Sequence, residues 1–465
     1  MKVSVIGTGY VGLVTASCFA FLGHDVCCLD INENRINDLN NGKIPIYEPG
    51  LENLLADCKK SGTFPSFTTD AQKAISHGDF VFIAVGTPSL PNGEPNLTYL
   101  QSAAETIGKF LKPGAVVVNK STVPVGSGNW VAMLVENGIA QRAPKDGSTA
   151  ATIEKVDFAV ASNPEFLREG SAIGDSLYPD RIVLGAESKD TLAKLNDLYK
   201  ELAEQKFKAP DYCPRPQNFG TVEVIGTDVT SAEMIKYSAN SFLATKISFA
   251  NQIANICDLV GADVNEVMRG IGTDSRIGPK FLNAGIGWGG SCFGKDVDAL
   301  ISIASDYGYN TSILEATKQV NYMQREIVIK RLQEKLKILK GKKIGLLGIA
   351  FKPNTDDLRD APSLDIARAL LKAGAQVRAC DPIAIENSQK QNPDLNIEYC
   401  HDPIAMTDSL DALILVTEWD EYKNLDMQKV LSKMNGNLFL DGRNQYQPAL
   451  LKELGFDYIG MGRQD

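Results

Sequence analysis

Histidine is scarce in this chain of 465 residues. There are three, His24, His77 and His401, and none lies in a glycine-rich or polar cluster. A dehydrogenase built on a histidine base, or a Ser-His-Asp hydrolase, is therefore disfavoured. No CxxC pair occurs, which removes the usual zinc-site spacing, and no metal is expected. No stretch reaches the ~18 uninterrupted apolar residues of a membrane span. The opening residues 1–23 have the apolar look of a signal peptide, but glycines and a tyrosine interrupt them, and they read better as strand, turn and helix. Positive charge is not in excess: 47 Lys and Arg against 57 Asp and Glu leave a net charge of -10, with no basic block. Nucleic acid and anionic membrane are thus poor partners. The nine cysteines, an odd number, fall mostly inside apolar patterns (Cys18, Cys27, Cys28, Cys257, Cys380). That usage suits a reducing cytoplasm, the expected location, rather than a disulfide framework.

What is present is an architecture used twice. The length allows about two to four domains. "KVSVIG" is a short β-rich run, and "GYVGLVTASCFAFLG" has helical spacing and ends at Gly23, a C-cap residue. "DVCCLD" is a second strand; 78–88 and 114–126 hold later buried strands. The order returns near the C-terminus. Strands are expected in 342–351, "QVRACDP", 410–420 and 437–446, with an amphipathic helix over 363–374 capped by Ser363 and closed by Gly374. Continuous apolar runs of this kind suit parallel strands covered on both faces. Between the two lies a helical region. Residues 231–261 carry apolar side chains at three- and four-residue spacing for some 30 positions, longer than an ordinary globular helix. It reads as a spine and a dimer surface, or as a plain buried helix. The fold expected is α/β: two doubly wound Rossmann-like domains joined by a central helical domain with a long spine helix. The divisions fall at 1–228, 229–335 and 336–465. Residues 142–152 and 208–220, rich in Pro or Gly, read as surface loops.

"GTGYVG" sets Gly7, Gly9 and Gly12 directly after a strand and at a helix start. Gly7 permits the tight turn, Gly9 lets a pyrophosphate approach the backbone, and Gly12 lets the helix pack against the strand. Asp30 closes the second strand 18 residues after Gly12. A carboxylate there accepts from ribose hydroxyls and repels a 2′-phosphate, which favours NAD over NADP; Arg35 lies close enough to complicate that preference. The second α/β unit lacks the fingerprint, so another ligand is expected. Lys352, Arg359 and Arg443, each near a strand end, are candidates to meet phosphates, with ordinary surface cations as the alternative.

Three polar pairs share an i, i+4 spacing: Glu165 and Glu169 in "NPEFLREG", Lys236 and Asn240 in "IKYSAN", Cys292 and Asp296 in "GWGGSCFGKD". If each segment is helical, each pair shares a face. For the glutamates a solvated face is the bland alternative; Lys236 interrupts an apolar helix. A free cysteine is commonly a small buried hydrophobe, but Cys292 stands near a helix start, beside Lys295 and behind glycines 285, 287, 289 and 290. That setting should favour the thiolate. An NAD site with a reactive cysteine suggests oxidation beyond the aldehyde, through a thiohemiacetal and a thioester that is hydrolysed. This route needs donors for an alkoxide and a carboxylate near a water.

With "GTGYVG", "STVPVG", "NPEFLREG", "IKYSAN", "GGSCFGKD" and the "FK…DLRD" segment in this order over nearly the whole length, the chain resembles the UDP-glucose 6-dehydrogenase family. The resemblance implies an NAD domain, a helical dimerisation core and a UDP-sugar domain, in a homodimer or higher oligomer. It implies two NAD reduced per UDP-glucose, giving UDP-glucuronate. By motif, Cys292 is the nucleophile, Lys236 stabilises oxyanions, and Asn240 orients the sugar or its water. Asp296 and Thr122 hold a water, and Glu169 assists thioester hydrolysis. The resemblance places Tyr10, Val11, Thr87, Thr122, Glu169, Lys295 and Arg359 at the cofactor with Asp30 and Arg35. It places Glu165, Phe166, Leu167, Gly289, Phe351, Lys352 and Arg443 at the sugar nucleotide. Arg276 and Phe281 resemble a substrate loop whose arginine reaches in from a neighbouring subunit. Trp288 and Gly294 depart from the family's Phe and Pro; Gly294 is expected to loosen the first helical turn. GDP-mannose and UDP-N-acetylhexosamine dehydrogenases share the scaffold, and a non-catalytic NAD-binding redox sensor is the rival from another class.

Overall fold

Alternation along the first strands decides the first sheet. Val3, Val5, Phe80 and Phe82 enter one buried cluster, while Ile6, Val81, Ile83 and Val117 enter another. Side chains of a strand alternate between faces, so both faces of this sheet are covered by apolar layers. The structure, a computed structural model, describes residues 1–88, 90, 94–142 and 156–463. It falls into two compact units, Met1–Ser238 and Ala239–Asp465.

The first unit holds β1 (Lys2–Ile6), β2 (Asp25–Leu29), β3 (Ser66–Thr68), β4 (Phe80–Ile83), β5 (Ala115–Asn119), β6 (Phe158–Ser162), β7 (Ile182–Ala186) and β8 (Val224–Thr227). They lie in the order β3-β2-β1-β4-β5-β6-β7-β8. The chain leaves β1 outward in both directions, pairing Ile6 with Leu29 on one side and Ile83 on the other. This reversal of strand order leaves a crevice beyond the strand ends. One departure from the expected parallel sheet appears: β7 runs antiparallel to β6, pairing Ala161 with Ala186.

The second unit holds β9 (Lys343–Leu347), β10 (Gln376–Cys380), β11 (Ile397–Tyr399), β12 (Ala412–Leu415), β13 (Leu438–Asp441) and β14 (Asp457–Gly460). Their order is β11-β10-β9-β12-β13-β14, every pairing parallel. The spine is one helix, Val229–Val260, followed by helices Val264–Gly272, Phe293–Asp306 and Ser312–Leu336. No helix among the described residues is long and apolar enough to cross a membrane.

Two local expectations are corrected. Ser363 does not cap its helix: the N-cap is Ala361 with Pro362 following, a residue whose fixed φ suits the first helical position. The Ser363 hydroxyl instead donates to the Ile349 carbonyl. The segment carrying Glu165 and Glu169 is not helical, so that pair does not share a helix face. The loop expected over 208–220 is present; that over 142–152 lies outside the described residues apart from Arg142.

Candidate active site

The turn after β1 is shaped by close backbone approach. Gly7 has φ 99°, and a Cβ there would lie 2.6 Å from the Ala84 carbonyl oxygen; one on Gly12 would lie 2.0 Å from the Gly7 oxygen. Only glycine fits either place. Gly9, at the N-cap of helix Tyr10–Phe21, has no side-chain cap and open space over its Cα. Bare N–H groups at a helix start with room above them fit a pyrophosphate. Val11 lies in the first turn of the same helix.

Asp30 follows β2 directly and is buried. Its Oδ2 accepts from the Thr8 N–H and hydroxyl, both at 2.8 Å, and from Arg35 Nη1 at 3.2 Å. Burial pushes this carboxyl up, but the Thr8 and Asn32 donors and the Arg35 guanidinium outweigh it and hold it below its ordinary range. An ionised Asp30 that braces the glycine turn fits a ribose diol and opposes a 2′-phosphate. Arg35, which complicated the preference in sequence, is placed on that carboxylate.

The loops after β4 and β5 meet: the Thr87 hydroxyl donates to the Thr122 carbonyl at 2.8 Å. Thr122, Glu165, Lys236 and Glu233 line one small pocket with Lys120. Lys236 and Glu165 form a buried ion pair at 2.8 Å, side chains 6% and 7% exposed. The ammonium also donates to the Glu165 carbonyl at 2.5 Å, and Glu165 Oε2 accepts from Leu167 N–H at 2.8 Å. Burial raises the Glu165 carboxyl, while the Lys236 charge beside it and its hydrogen bonds carry it below its ordinary value. The Arg181 guanidinium stacks 3.9 Å over the Phe166 ring.

Sequence reasoning missed three buried supports here. Lys120 donates to Asn163 Oδ1 at 2.9 Å; burial pushes its ammonium down to about 8. Glu48 accepts from Tyr10, from Gly170 N–H at 2.6 Å and from Ala172 N–H at 2.7 Å. It therefore ties the segment of Glu165 and Glu169 to the helix of the glycine turn. Glu233 accepts from Gly126 N–H at 2.6 Å, at the start of helix Ser127–Ala140. The only sequence signal was a charge within or beside an apolar run.

In the second unit the thiol stands at a helix start. Cys292 is the N-cap of Phe293–Asp306 and, among the described residues, the one exposed cysteine. That overturns the buried-hydrophobe alternative. Its Sγ lies 3.6 Å from the Ser291 hydroxyl. One turn on, Asp296 is wholly buried; it accepts from Asn240 Nδ2 at 2.5 Å and from Lys295 Nζ at 2.7 Å. The structure thus brings Asn240, Lys295 and Asp296 together and places Lys295 on the carboxylate. Trp288 is buried, donates from Nε1 to Ser248 at 3.1 Å and meets Phe293 edge-on, so the larger aromatic is accommodated. Gly294 lies within a regular first turn, with only ordinary contacts where a Cβ would stand.

The remaining expected contacts form a second group. A Cβ on Gly289 would lie 2.3 Å from the Asp360 carbonyl oxygen, and one on Gly290 would lie 2.6 Å from the Phe351 ring. Lys352 Nζ lies 5.2 Å from the centre of that ring. Arg359 pairs with Asp357 at 2.7 Å. Arg443 donates to the Val416 carbonyl at 2.7 Å and the Gly287 carbonyl at 3.0 Å. Arg276 is exposed and pairs with Asp274 at 2.6 Å; Phe281 has φ 64°. Asp381, placed after β10 as Asp30 is after β2, accepts from Ile349 and Ala350 N–H at 2.7 and 3.0 Å. This turn is braced as the first one is, but its carboxylate is spent on backbone N–H groups and the Trp419 indole.

Family models match three stretches. Residues 1–203 match the NAD binding domain, 230–323 the central domain and 345–448 the UDP binding domain of the UDP-glucose/GDP-mannose dehydrogenase family. The chain is 46% identical over 462 residues to the UDP-glucose 6-dehydrogenase TuaD of Bacillus subtilis, covering 99% of this chain and 93% of that one. It is 42% identical to a UDP-glucose 6-dehydrogenase of Pseudomonas aeruginosa, covering 100% and 98%. Among solved structures, a UDP-glucose dehydrogenase of Pyrobaculum islandicum superposes with a TM-score of 0.86 at 37% identity, covering 100% and 98%.

Proposed function

Since the chain belongs to the UDP-glucose/GDP-mannose dehydrogenase family, we propose that it oxidises C6 of UDP-glucose to the carboxylate of UDP-glucuronate. It is an oxidoreductase and uses NAD. The observation that carries the four-electron reading is Cys292: an exposed thiol at a helix N-cap, one turn from a buried carboxylate with two donors on it.

Gly7, Gly9, Tyr10, Val11 and Gly12 hold the cofactor's pyrophosphate, and Asp30 its ribose; Thr87, Lys295 and Arg359 complete its contacts. NAD, when bound, accepts the hydride that C6 gives up at each of two oxidations. The chain's own groups do the rest. Thr122 and Asp296 hold the water that takes the C6 hydroxyl proton. Lys236, its ammonium fixed by Glu165, stabilises the oxyanion at each stage. The Cys292 thiolate adds to the aldehyde carbon: a C–S bond forms, the carbonyl π pair becomes an alkoxide, and protonation gives a thiohemiacetal. Loss of a second hydride and the hydroxyl proton leaves a thioester. Water, oriented by Asn240 and relieved of a proton by Glu169, adds to that carbonyl. The C–S bond then breaks, releasing the carboxylate and the thiolate. Phe166, Leu167, Gly289, Phe351, Lys352 and Arg443 hold the sugar nucleotide, with Phe281 and an Arg276 from a second copy.

The three-domain division at 1–228, 229–335 and 336–465 belongs to this reading, as does a dimer through the spine. Phe242, Phe249 and Ile256 recur every seventh residue there and are 65%, 48% and 46% exposed, an apolar stripe suited to a second copy.

Limiting UDP-glucose should yield two NADH per molecule, with no aldehyde captured by an added trapping amine. One NADH with trapped aldehyde would refute the covalent route. Parallel turnover assays with GDP-mannose and UDP-N-acetylhexosamines test the sugar nucleotide.

A further inference from the structure

The loop that carries Cys292 has no regular structure of its own, and one helix supplies four of its hydrogen bonds. Gly285 N–H donates to Asn251 Oδ1 at 2.8 Å, and its carbonyl accepts from Gln324 at 2.8 Å. Trp288 N–H donates to Asn321 Oδ1 at 2.7 Å, and its carbonyl accepts from Asn321 Nδ2 and Arg325 Nη2, each at 3.0 Å. Asn321, Gln324 and Arg325 are buried residues of helix Ser312–Leu336, spaced to share one face. Gly290 N–H donates to the Arg359 carbonyl at 2.8 Å.

Arg325 holds both sides of that last contact. Besides Trp288, it binds Asp360 Oδ1 through Nη1 at 2.7 Å and the Asp360 carbonyl through Nη2 at 3.2 Å, and pairs with Asp365. Asp360 has φ 49°, a left-handed conformation that a short polar side chain tolerates best after glycine. Its carbonyl is the atom a side chain on Gly289 would strike. Its Oδ2 is buried and, like Arg325 Nε, has no hydrogen-bond partner among the described residues. That oxygen faces Gly294, 3.7 Å from where a Cβ would stand, in the first turn after Cys292. A partly buried ion pair, Arg325 5% and Asp360 26% exposed, that is left partly unsatisfied is a poor source of stability. It does define a geometry: a planar fork on a left-handed turn, two residues from the thiol.

We infer that Arg325 and Asp360 are positioning residues for Cys292, clamping the 357–360 turn onto the glycine loop so that the thiol keeps its place at the helix N-cap. The inference rests on the reading of Cys292 as the nucleophile. It connects the segment of Phe351, Lys352 and Arg359 to the reacting sulfur through Gly290 and Asp360. Neither residue touches the reacting atoms.

The test uses the full-length enzyme with Asp360→Ala, Asp360→Asn and Arg325→Lys, checked for native circular dichroism. Two quantities are read: steady-state kcat and KM, and the rate at which iodoacetamide alkylates Cys292 in the native state, followed by peptide mass. Asp360→Ala and Arg325→Lys should lower kcat at least about tenfold with KM for UDP-glucose within about twofold, as small misplacements of a reacting group do. They should slow alkylation of Cys292 by more than about threefold, because a thiol off the helix N-cap loses its activation. Asp360→Asn keeps an acceptor for Arg325 and the left-handed backbone, and should recover most of both. Unchanged alkylation in Asp360→Ala and Arg325→Lys, whatever happens to melting temperature or KM, overturns the positioning role. Near-normal turnover by Cys292→Ser would instead remove the nucleophile reading, while the alkylation rates would still report whether the clamp holds the loop.

Discussion

A serine at Cys292 keeps the side chain's size but replaces a thiol with a far weaker acid. Serine could still add to an aldehyde, but its ester leaves less readily than a thioester. Turnover by Cys292→Ser should collapse while NAD and UDP-glucose still bind, with a covalent sugar adduct detectable by intact mass. Lys236→Ala should fail earlier, at the hydride steps, since one oxyanion donor is typically worth about 2.7–4 kcal/mol. The structure adds a second consequence: Glu165 would be left buried and charged, which destabilises by about 3–5 kcal/mol. Melting temperature should therefore fall in Lys236→Ala and hold in Cys292→Ser; equal loss of stability in both would contradict the buried pair. Asp30 is judged differently with its partners in view. Because Thr8 donates to it twice, Asp30→Asn is a gentler variant than Asp30→Ala. It keeps an acceptor, loses the charge and frees Arg35 to meet a 2′-phosphate. The NAD over NADP preference in kcat/KM should narrow by about tenfold, or ~1.4 kcal/mol. An unchanged ratio would mean that Asp30 does not choose the cofactor.

At the scale of elements, the spine helix carries a second buried charge besides Lys236, at Glu233. Glu233 caps the start of helix Ser127–Ala140, just after the loop of Thr122. Burial pushes its carboxyl up to about 7, against the pull of the Gly126, Ser127 and Gly128 N–H groups. A raised folded value means that the folded state holds the proton more tightly than the unfolded chain. The stability it contributes is present in full below the ordinary value of 4.5 and is lost as pH rises through about 7. Between these values the melting temperature of Glu233→Gln, plotted against pH, should be flatter than that of the parent. Parallel curves would place the Glu233 proton elsewhere. The same scale holds the clearest misreading of the sequence. Glu165 and Glu169 have helical spacing without a helix: the segment is an irregular loop that ends in a turn, and Glu48 takes up the Gly170 and Ala172 N–H groups.

At the scale of the whole molecule, Phe242, Phe249 and Ile256 form an exposed apolar stripe among the described residues. If a second copy covers it, Phe249→Asp should shift the sedimentation profile toward monomer at micromolar concentration. Activity should fall with it if Arg276 is supplied by that copy, since this arginine is 87% exposed in its own chain and pairs only locally, with Asp274, among the contacts described. A Phe249→Asp protein that sediments as the parent does would mean that the oligomer, if any, uses another face.

Strand and helix positions, the doubly wound pattern and the cofactor turn were legible in the sequence because each rests on local rules. Apolar runs of strand length, a 3.6-residue stripe and glycines at strand ends report physics acting within a few residues. Cys292 could be singled out for the same reason: its glycines and its helix start are its chain neighbours. The partners of charges were not legible. That Lys236 faces Glu165 over 71 positions, that Asn240 and Lys295 converge on Asp296, that Asp381 is taken up by backbone N–H groups and the Trp419 indole, and that Arg325 grips Asp360 follow from how strands and helices pack. A buried charge takes whichever opposite group packing brings near, and no local pattern records that choice. Tertiary structure likewise decided the reversal of β7 and the irregular path of the glutamate loop, where long-range hydrogen bonds outweighed local spacing.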